Sequence, residues 1–145
     1  MNYRMWFQAY LRHPLQLGAL FPSGMALSSL MVRHIRIDTH GHILELGPGT
    51  GSFTRALVRR GIPEEKLVLL ERSPDFTTLL QNSFPEATVI CGDAKDSRAI
   101  FRSLGIEEFD EIVSGVPLNA MGGELRRIIC GEGFRLLRLG GSFVQ

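Results

Sequence analysis

Three glycines and two carboxylates form the group of residues best suited to bind a ligand. Glu45 precedes the turn 47–51, which reads Gly-Pro-Gly-Thr-Gly, and Glu71 follows 20 residues after the last of these glycines. Glycine lets the backbone turn sharply and approach a ligand closely, and the first amides of a following helix are free donors. A carboxylate at this distance, at the end of the neighbouring strand, is placed to accept hydrogen bonds from both hydroxyls of a ribose. The pattern predicts a site for an adenosine-containing ligand.

The spacing of the glycines narrows the class of that ligand. Dinucleotide-binding folds use G-x-G-x-x-G, whose third glycine permits close packing of the helix, whereas position 52 here is Ser52. The sequence has no G-x-x-x-x-G-K-[ST], so it lacks the lysine of phosphate-cradling nucleotide hydrolases. Dinucleotide binding is therefore the minority interpretation. The remaining interpretation is a tight turn that binds no ligand. The presence of Glu71 at the matching position argues against it.

The elements that must position these residues alternate as strand and helix from about residue 42 onward. The predicted strands lie at 42–46, 66–71, 87–91, 109–114 and, only just begun, 142–144. The predicted helices run from the turn to residue 60, from Ser73 to about 83, at 96–104 and from 122 or 123 to about 139, where Gly140-Gly141 is expected to end the last one. This alternation is typical of a parallel sheet in an α/β fold.

The first 37 residues differ from the rest of the chain. They contain four arginines and no acidic residue, a charge pattern typical of a segment that meets phosphate. An aromatic face recurs at helical spacing through Tyr3, Trp6, Phe7, Tyr10 and Leu11. We predict an amphipathic helix that lies on a membrane surface or covers the domain's own core or a partner subunit. The chain is divided accordingly into a helical leader, 1–37, and a ligand-binding domain, 38–145.

Composition excludes several other classes of protein. The chain has 145 residues, of which 16 are basic and 15 acidic, and 44% are hydrophobic. These values describe one globular domain and exclude a collagen, a disordered tail and a disulfide scaffold. Cys91 and Cys130 lack metal-ligand spacing, so we expect no metal site and two reduced, buried thiols. Without a secretory signal or a membrane-spanning apolar run, the expected location is cytoplasmic.

Residues 45–51 resemble motif I, E-x-G-x-G-x-G, of the class I S-adenosylmethionine-dependent methyltransferases. In that family Glu71 matches the acid that binds ribose, and Gly92-Asp93-Ala94 matches the turn that binds adenine. The resemblance implies a doubly wound, Rossmann-like fold with a mostly parallel sheet, and S-adenosylmethionine as the cofactor. The cofactor-binding residues that it implies are Glu45, Gly47, Pro48, Gly49, Thr50, Gly51, Glu71, Arg72, Asp93 and Ala94.

The resemblance extends, over nearly the whole chain, to bacterial phospholipid N-methyltransferases that act on phosphatidylethanolamine. Their leader is similar to 9–14 and 18–23, and the loop after their fourth strand is similar to 114–118. It implies methyl transfer to a phospholipid amine by a peripheral enzyme on the inner membrane surface, held there by the N-terminal helix. The catalytic residues that it implies, on the methyl-acceptor side, are Ser114, Gly115, Pro117 and Leu118.

The rRNA adenine dimethyltransferases are the nearest competing family, because their motif I also reads E-x-G-P-G. Their fourth-strand loop, N-L-P-Y, holds the target amine with asparagine and stacks tyrosine on the flipped base. Here Gly115 and Leu118 stand at those two positions. Since an extruded base is gripped by stacking and by hydrogen bonds to its edge, a nucleic-acid substrate is the less expected alternative.

The family pattern also continues beyond residue 145. Class I methyltransferases carry a further helix and an antiparallel pair of strands after the fifth strand, so the expected fold lacks this closing hairpin. The fifth strand would then be an exposed edge through which a homo-oligomer could form. A truncated, non-catalytic protein that binds cofactor or membrane is a third interpretation. For the general base, the sequence offers only His13 or His34 as guesses.

Overall fold

Five parallel strands form one sheet in the computed structural model, which describes residues 23–145. The strands are β1 (Ile43–Leu46), β2 (Leu67–Glu71), β3 (Thr88–Cys91), β4 (Phe109–Ser114) and β5 (Leu137–Val144), in the order β3-β2-β1-β4-β5. The helices are α1 (Ser23–Val32), α2 (Ser52–Arg59), α3 (Pro74–Ser83), α4 (Ser97–Ser103) and α5 (Gly123–Leu136). Short 3-10 turns lie at Glu64–Lys66, Ala94–Asp96 and Leu118–Ala120. The predicted doubly wound α/β fold is confirmed, and the aromatic leader helix falls outside the described residues.

Alternate residues of the central strands face two separate hydrophobic clusters. On one face, Ile43 and Leu69 pack with Leu57 of α2 and with residues of α1 and α3. On the other face, Leu44 packs with Phe101 of α4 and with residues of α5. Strands that are buried on both faces have no polar side to show, which explains their continuous apolar runs. The two layers of helices hold the sheet between them.

The order of the strands fixes where a ligand can bind. Leu46, the last residue of β1, pairs with Leu70 of β2 on one side and with Ser114 of β4 on the other. From β1 the chain builds the sheet outward to β2 and β3, and then it crosses to the other side of β1 to form β4 and β5. Ligands of open α/β sheets bind at such a switch point, outside the carboxyl ends of the strands. We call this side of the sheet the carboxyl edge and the other side the amino edge.

The last helix and strand differ from the sequence prediction. α5 ends at Leu136 and β5 begins at Leu137, so Gly140-Gly141 lies inside the strand and does not end the helix. Opposite β4, Leu137 pairs with Phe109 while Ser142 pairs with Glu111, which makes a bulge. The two glycines accommodate the bulge, because a Cβ on Gly141 would lie 2.5 Å from the Asp110 carbonyl oxygen. The other boundaries agree with the prediction to within one residue, a difference that is common at helix and strand ends.

Two acidic residues at the start of β4 tie distant segments to the amino edge. Glu111 is fully buried, pairs with Arg36 and accepts a hydrogen bond from the Ser142 amide at 3.2 Å. The neighbouring Asp110 accepts from the Gly41 amide at 2.8 Å and pairs with Arg138 at 3.2 Å. We call these two residues the acidic clamp. It joins the segment that enters β1 to the bulge of β5.

The cysteines do not fit the expectation of two buried thiols. Both are free, but Cys91 is exposed and Cys130 is only half-buried. Cys91 is the last residue of an edge strand, which leaves its side chain open. Over residues 23–145, no helix is long and apolar enough to cross a membrane. The division of the chain at residue 37 and the oligomer through the β5 edge stay predictions.

Candidate functional site

The glycine turn after β1 adopts a backbone that other residues rarely enter. Gly47, Gly49 and Gly51 have φ angles of 65°, 57° and 82°, which is the left-handed region where a Cβ clashes with the backbone. The Gly51 amide donates to the Pro48 carbonyl at 2.9 Å and closes the turn. A Cβ on Gly51 would also lie 2.8 Å from a ring carbon of Phe84. The sharp turn predicted from the glycine spacing is therefore formed, directly before α2.

Glu71 ends β2 beside this turn and holds it from the side. One carboxylate oxygen accepts a hydrogen bond from the Gly49 amide at 3.0 Å, and the other accepts from the Ser73 amide at 2.8 Å. Ser73 caps α3, its Oγ accepting from the Phe76 amide, and Pro74 is the first helical residue, both as predicted. Each carboxylate oxygen has a second lone pair, so Glu71 can still accept from a ligand hydroxyl.

Glu45 lies under the turn as a fully buried carboxyl group. Its Oε2 accepts a hydrogen bond from Thr54 Oγ1 at 2.7 Å, and its Oε1 has no partner among residues 23–145. Burial raises the pKa of Glu45 from 4.5 to about 7, although the Thr54 hydrogen bond lowers it. A carboxyl group with one unsatisfied oxygen in an apolar setting is stabilised by a proton or by a cationic ligand. Thr54 lies in the first turn of α2. The sequence did not predict this residue, because nothing in it marks Thr54 as the partner of Glu45.

Asp93 follows β3 and faces the residue that follows β2. Its Oδ1 accepts a hydrogen bond from the Lys95 amide at 3.1 Å, and its Oδ2 lies 3.8 Å from a guanidinium nitrogen of Arg72. Ala94 is buried next to it at the start of a 3-10 turn. The structure thus brings the predicted Arg72, Asp93 and Ala94 together at the carboxyl edge, on the β3 side of Glu71.

The loop after β4 packs directly on the glycine turn. The Gly115 amide donates to the Leu46 carbonyl at 2.8 Å, and a Cβ on Gly115 would lie 2.6 Å from the Gly47 carbonyl oxygen. Val116 in turn covers Gly47, since a Cβ on Gly47 would lie 2.8 Å from the Cγ2 of Val116. We call this contact between the two loops the interlock. Val116 belongs to the predicted acceptor-side loop, 114–118, but the sequence did not mark it as one of the catalytic residues.

The remaining residues predicted for the acceptor side have different environments. Ser114 is buried and its hydroxyl has no partner in the part of the chain that the structure describes. Pro117 leads into the 3-10 turn that contains Leu118, and the Leu118 side chain is buried in the cluster of α4 and α5. Gly115, Val116 and Pro117 are half-buried, so they form the accessible part of this loop, beside the buried Ser114 hydroxyl.

The two histidines suggested as a general base receive no support. His13 is outside the described residues. His34 follows α1, whose end is held at the amino edge by hydrogen bonds from Arg60, the residue after α2, to the carbonyls of Val32 and Ile35. It is exposed there and accepts a hydrogen bond from Arg33. Across residues 23–145 no group of three or more His, Cys, Asp or Glu side chains could hold a metal ion.

Comparison with known proteins agrees with this arrangement. A family profile described as a methyltransferase domain matches residues 43–141. The chain is 32% identical, over 147 residues, to the ornithine lipid N-methyltransferase of Singulisphaera acidiphila, and the match covers 99% of this chain and 77% of that protein. It is also 32% identical, over 78 residues, to ribosomal RNA small subunit methyltransferase A of Maridesulfovibrio salexigens, which covers 54% of this chain and 29% of that protein.

A solved structure shares the fold at lower sequence identity. The glycopeptide N-methyltransferase MtfA, in complex with S-adenosylmethionine, is similar with a TM-score of 0.64 and 19% identity. The match covers 83% of this chain and 52% of that one, so the chain spans about half the length of that structure. This likeness places the parallel sheet and its flanking helices within a known fold.

Proposed function

The chain belongs to the class I S-adenosylmethionine-dependent methyltransferases, and from this premise we propose that it methylates the amine of a membrane lipid. The observation that carries the proposal is the likeness, over 99% of the chain, to an ornithine lipid N-methyltransferase. Phosphatidylethanolamine and ornithine lipid share a primary amine on a short polar headgroup. We propose a phosphatidylethanolamine-type phospholipid as the substrate, and the reaction takes place at the inner surface of the membrane.

The residues of the carboxyl edge fit the cofactor of this family. The glycine turn lets the backbone approach the ligand, and the unsatisfied oxygen of Glu45 suits its ammonium group. Glu71 has lone pairs for the ribose hydroxyls, and Asp93 has an oxygen for the adenine amino group. When bound, S-adenosylmethionine supplies a methyl group on a sulfonium, which needs no covalent intermediate with the protein.

The chain's own part in the reaction is to position the acceptor. The amine must arrive without its proton, and its lone pair forms the new bond to carbon while the bond from carbon to sulfur breaks. The proton of the methylated amine then leaves to solvent. The interlock holds the loop 115–118 against the glycine turn, so the acceptor side and the cofactor side keep a fixed distance. The half-buried residues Gly115, Val116 and Pro117 of this loop would face the incoming headgroup.

A nucleobase acceptor is disfavoured by the same geometry. The Gly47 carbonyl oxygen would lie only 2.6 Å from the Cβ of any side chain at position 115. An asparagine that holds a target amine from this position would require the two loops to separate. Leu118, at the position of the stacking tyrosine, is buried in the core. A lipid amine needs neither a side chain at position 115 nor an exposed ring at position 118.

The test is a methyl-transfer assay with defined acceptors. The purified chain and labelled S-adenosylmethionine are incubated with vesicles of phosphatidylethanolamine, with vesicles of ornithine lipid, and with structured ribosomal RNA. Labelled mono- or dimethylated phosphatidylethanolamine is the expected product. Methylation of ornithine lipid alone would move the substrate to the phosphate-free aminolipids. Methylation of RNA, with both lipids untouched, would overturn the proposal.

A further inference from the structure

The direction of α5 places its first turns beside the acceptor loop. α5 begins at Gly123, nine residues after the end of β4, and it ends at Leu136. The next residue, Leu137, pairs with Phe109, which is the first residue of β4 at the amino edge. A helix of this length spans about 20 Å. The first turns of α5 therefore lie near the carboxyl edge, where the acceptor must enter.

Those first turns expose apolar side chains that the core does not use. Leu125 and Ile128 are 37% and 41% exposed, and residues three apart lie side by side on a helix. The buried residues of α5 are Ile129, Gly133 and Leu136. Leu125, four residues before Ile129, lies at the border of this buried face, and Ile128 lies outside it. We call the segment 121–128 the acceptor-side surface. Its apolar pair lies at the exposed border of the face that packs on the sheet, next to the loop that would receive the substrate.

Two arginines give this surface a positive charge. Arg126 and Arg127 are exposed and form no ion pair with any of the residues that the structure describes, while Glu124 is the one acid in 121–128. Apolar side chains flanked by arginines on one helix suit the boundary between lipid chains and anionic headgroups. The charge complements an anionic bilayer.

We propose that the acceptor-side surface docks on an anionic lipid bilayer, independently of the aromatic leader. This inference rests on the proposed function, because a lipid amine can reach the site only if the carboxyl edge meets the membrane. Leu125 and Ile128 enter the headgroup region, and Arg126 and Arg127 pair with anionic headgroups. The acceptor loop is thereby brought to the level at which a headgroup amine lies.

The chain offers a matched control at the opposite edge. Leu104, which follows α4, is 54% exposed, and Leu139 in the bulge of β5 is fully exposed. Both leucines expose more of their side chain than Leu125 and Ile128 do, but they lie toward the amino edge. If any exposed leucine promoted membrane binding, substitution of either pair would weaken vesicle binding equally. If the acceptor-side surface docks on the bilayer, only substitution of Leu125 and Ile128 weakens vesicle binding.

The experiment compares the variants Leu125→Ser/Ile128→Ser and Leu104→Ser/Leu139→Ser in the full chain, so that the leader is common to both. Cosedimentation uses vesicles of phosphatidylcholine and phosphatidylglycerol, which contain no amine that could be methylated. We expect the first pair to lower the vesicle-bound to free ratio about tenfold and the second pair to leave it within about twofold. Binding of S-adenosylhomocysteine by each variant establishes that it is folded.

Charge is tested with Arg126→Gln/Arg127→Gln on the same vesicles. Each arginine should account for roughly a fivefold change at low salt, and for little on vesicles of phosphatidylcholine alone. Equal losses from the two leucine-containing pairs, or none from Leu125→Ser/Ile128→Ser, would overturn the inference. So would a change in the mass of the vesicle-free protein with vesicle binding intact, which would assign the surface to a second copy of the chain.

Methyl transfer separates this inference from the proposed function. With phosphatidylethanolamine dispersed in detergent micelles, Leu125→Ser/Ile128→Ser should keep the activity of the unchanged protein, since no docking is needed. Vesicle binding that depends on Leu125 and Ile128, without methylation of any lipid, would contradict the proposed function alone. Methylation in micelles, together with vesicle binding that does not change when Leu125 and Ile128 are substituted, would contradict the docking inference alone.

Discussion

Glu45 connects the stability of the protein to pH. Burial raises its pKa from 4.5 to about 7, so between these values the folded protein keeps a proton that the unfolded chain has released. Stability then falls as the pH rises through this interval, and it levels off above pH 7. We expect the free energy of unfolding of the unchanged protein, relative to Glu45→Gln, to drop by about 3 kcal/mol between pH 4.5 and 8.

Urea denaturation at several pH values, without cofactor, measures this difference. The exposed Glu65→Gln serves as the control and should follow the unchanged protein at every pH. Parallel curves for the unchanged protein and Glu45→Gln would show that the carboxyl group ionises in the fold as easily as in water.

Glu71 should contribute strongly to the affinity for the cofactor. A hydrogen bond to a charged acceptor is worth about 1.5–3 kcal/mol, so Glu71→Ala should weaken binding of S-adenosylmethionine by roughly ten- to a hundredfold. Titration calorimetry measures the affinity, and Glu65→Ala, an exposed carboxylate outside the site, is the control. Because Glu71 also accepts from the Gly49 and Ser73 amides, a melting curve must show that the variant is folded. Equal affinities of the two variants would contradict the assignment.

At the scale of the elements, the interlock explains why the loop after β4 begins with glycine. A Cβ on Gly115 would meet the Gly47 carbonyl oxygen at 2.6 Å, whereas a Cβ on Gly122 would meet nothing within 4 Å. Gly115→Ala should therefore destabilise the fold by about 1–3 kcal/mol. Gly122→Ala, at a backbone conformation open to alanine, should be neutral or stabilise by up to about 1 kcal/mol. Chemical denaturation compares the two, and similar stabilities would show that the loops separate easily.

Elements with local signals were predictable from the sequence. β4 has the predicted bounds, 109–114, because its apolar run lies between clear breaks. α3 was predictable because Ser73 and Pro74 mark its start by capping and by a fixed φ. The end of α5 was not, since the bulge that admits Gly140-Gly141 depends on the register with β4. This pairing joins residues about 30 positions apart, so no local sequence pattern indicates it.

The candidate site divides in the same way. The glycine turn and Glu71 follow a spacing rule that holds along the chain, so the sequence predicted that they meet. The bond from Thr54 to Glu45 and the packing of Val116 on Gly47 are tertiary contacts. They depend on how α2 and β4 sit against β1, which no pattern within either segment encodes.

At the scale of the whole molecule, the leader gives a prediction that rests on sequence alone, because residues 1–22 lie outside the structure's description. If the aromatic face enters a bilayer, Trp6→Ala/Phe7→Ala should sharply reduce vesicle binding, and part of the binding should persist in high salt. Arg4 and Arg12 should each contribute about 1 kcal/mol near an anionic surface at low salt only. Cosedimentation with anionic and neutral vesicles measures both effects.

A parallel filter assay with structured RNA supplies the opposing outcome. Binding to phosphates alone is dominated by the release of counterions and falls steeply with salt. Tight, strongly salt-sensitive RNA binding, with no binding to vesicles, would favour the nucleic-acid alternative for the whole molecule. Replacement of the four aromatic residues of the leader, Tyr3, Trp6, Phe7 and Tyr10, should then have little effect on RNA binding.

The acidic clamp sets an order of events during synthesis. Arg36 leaves the ribosome 75 residues before its partner Glu111, and Gly41 precedes Asp110 by 69 residues. At bacterial and eukaryotic translation speeds this separation corresponds to a delay of roughly 4 to 15 s. Throughout that delay the segment before β1 has no clamp to bind and β1 lacks its neighbour β4. The nascent chain can therefore pair β1 with β2 early, but it completes the other side of β1, and with it the carboxyl edge, only after Ser114 at the end of β4 has been made.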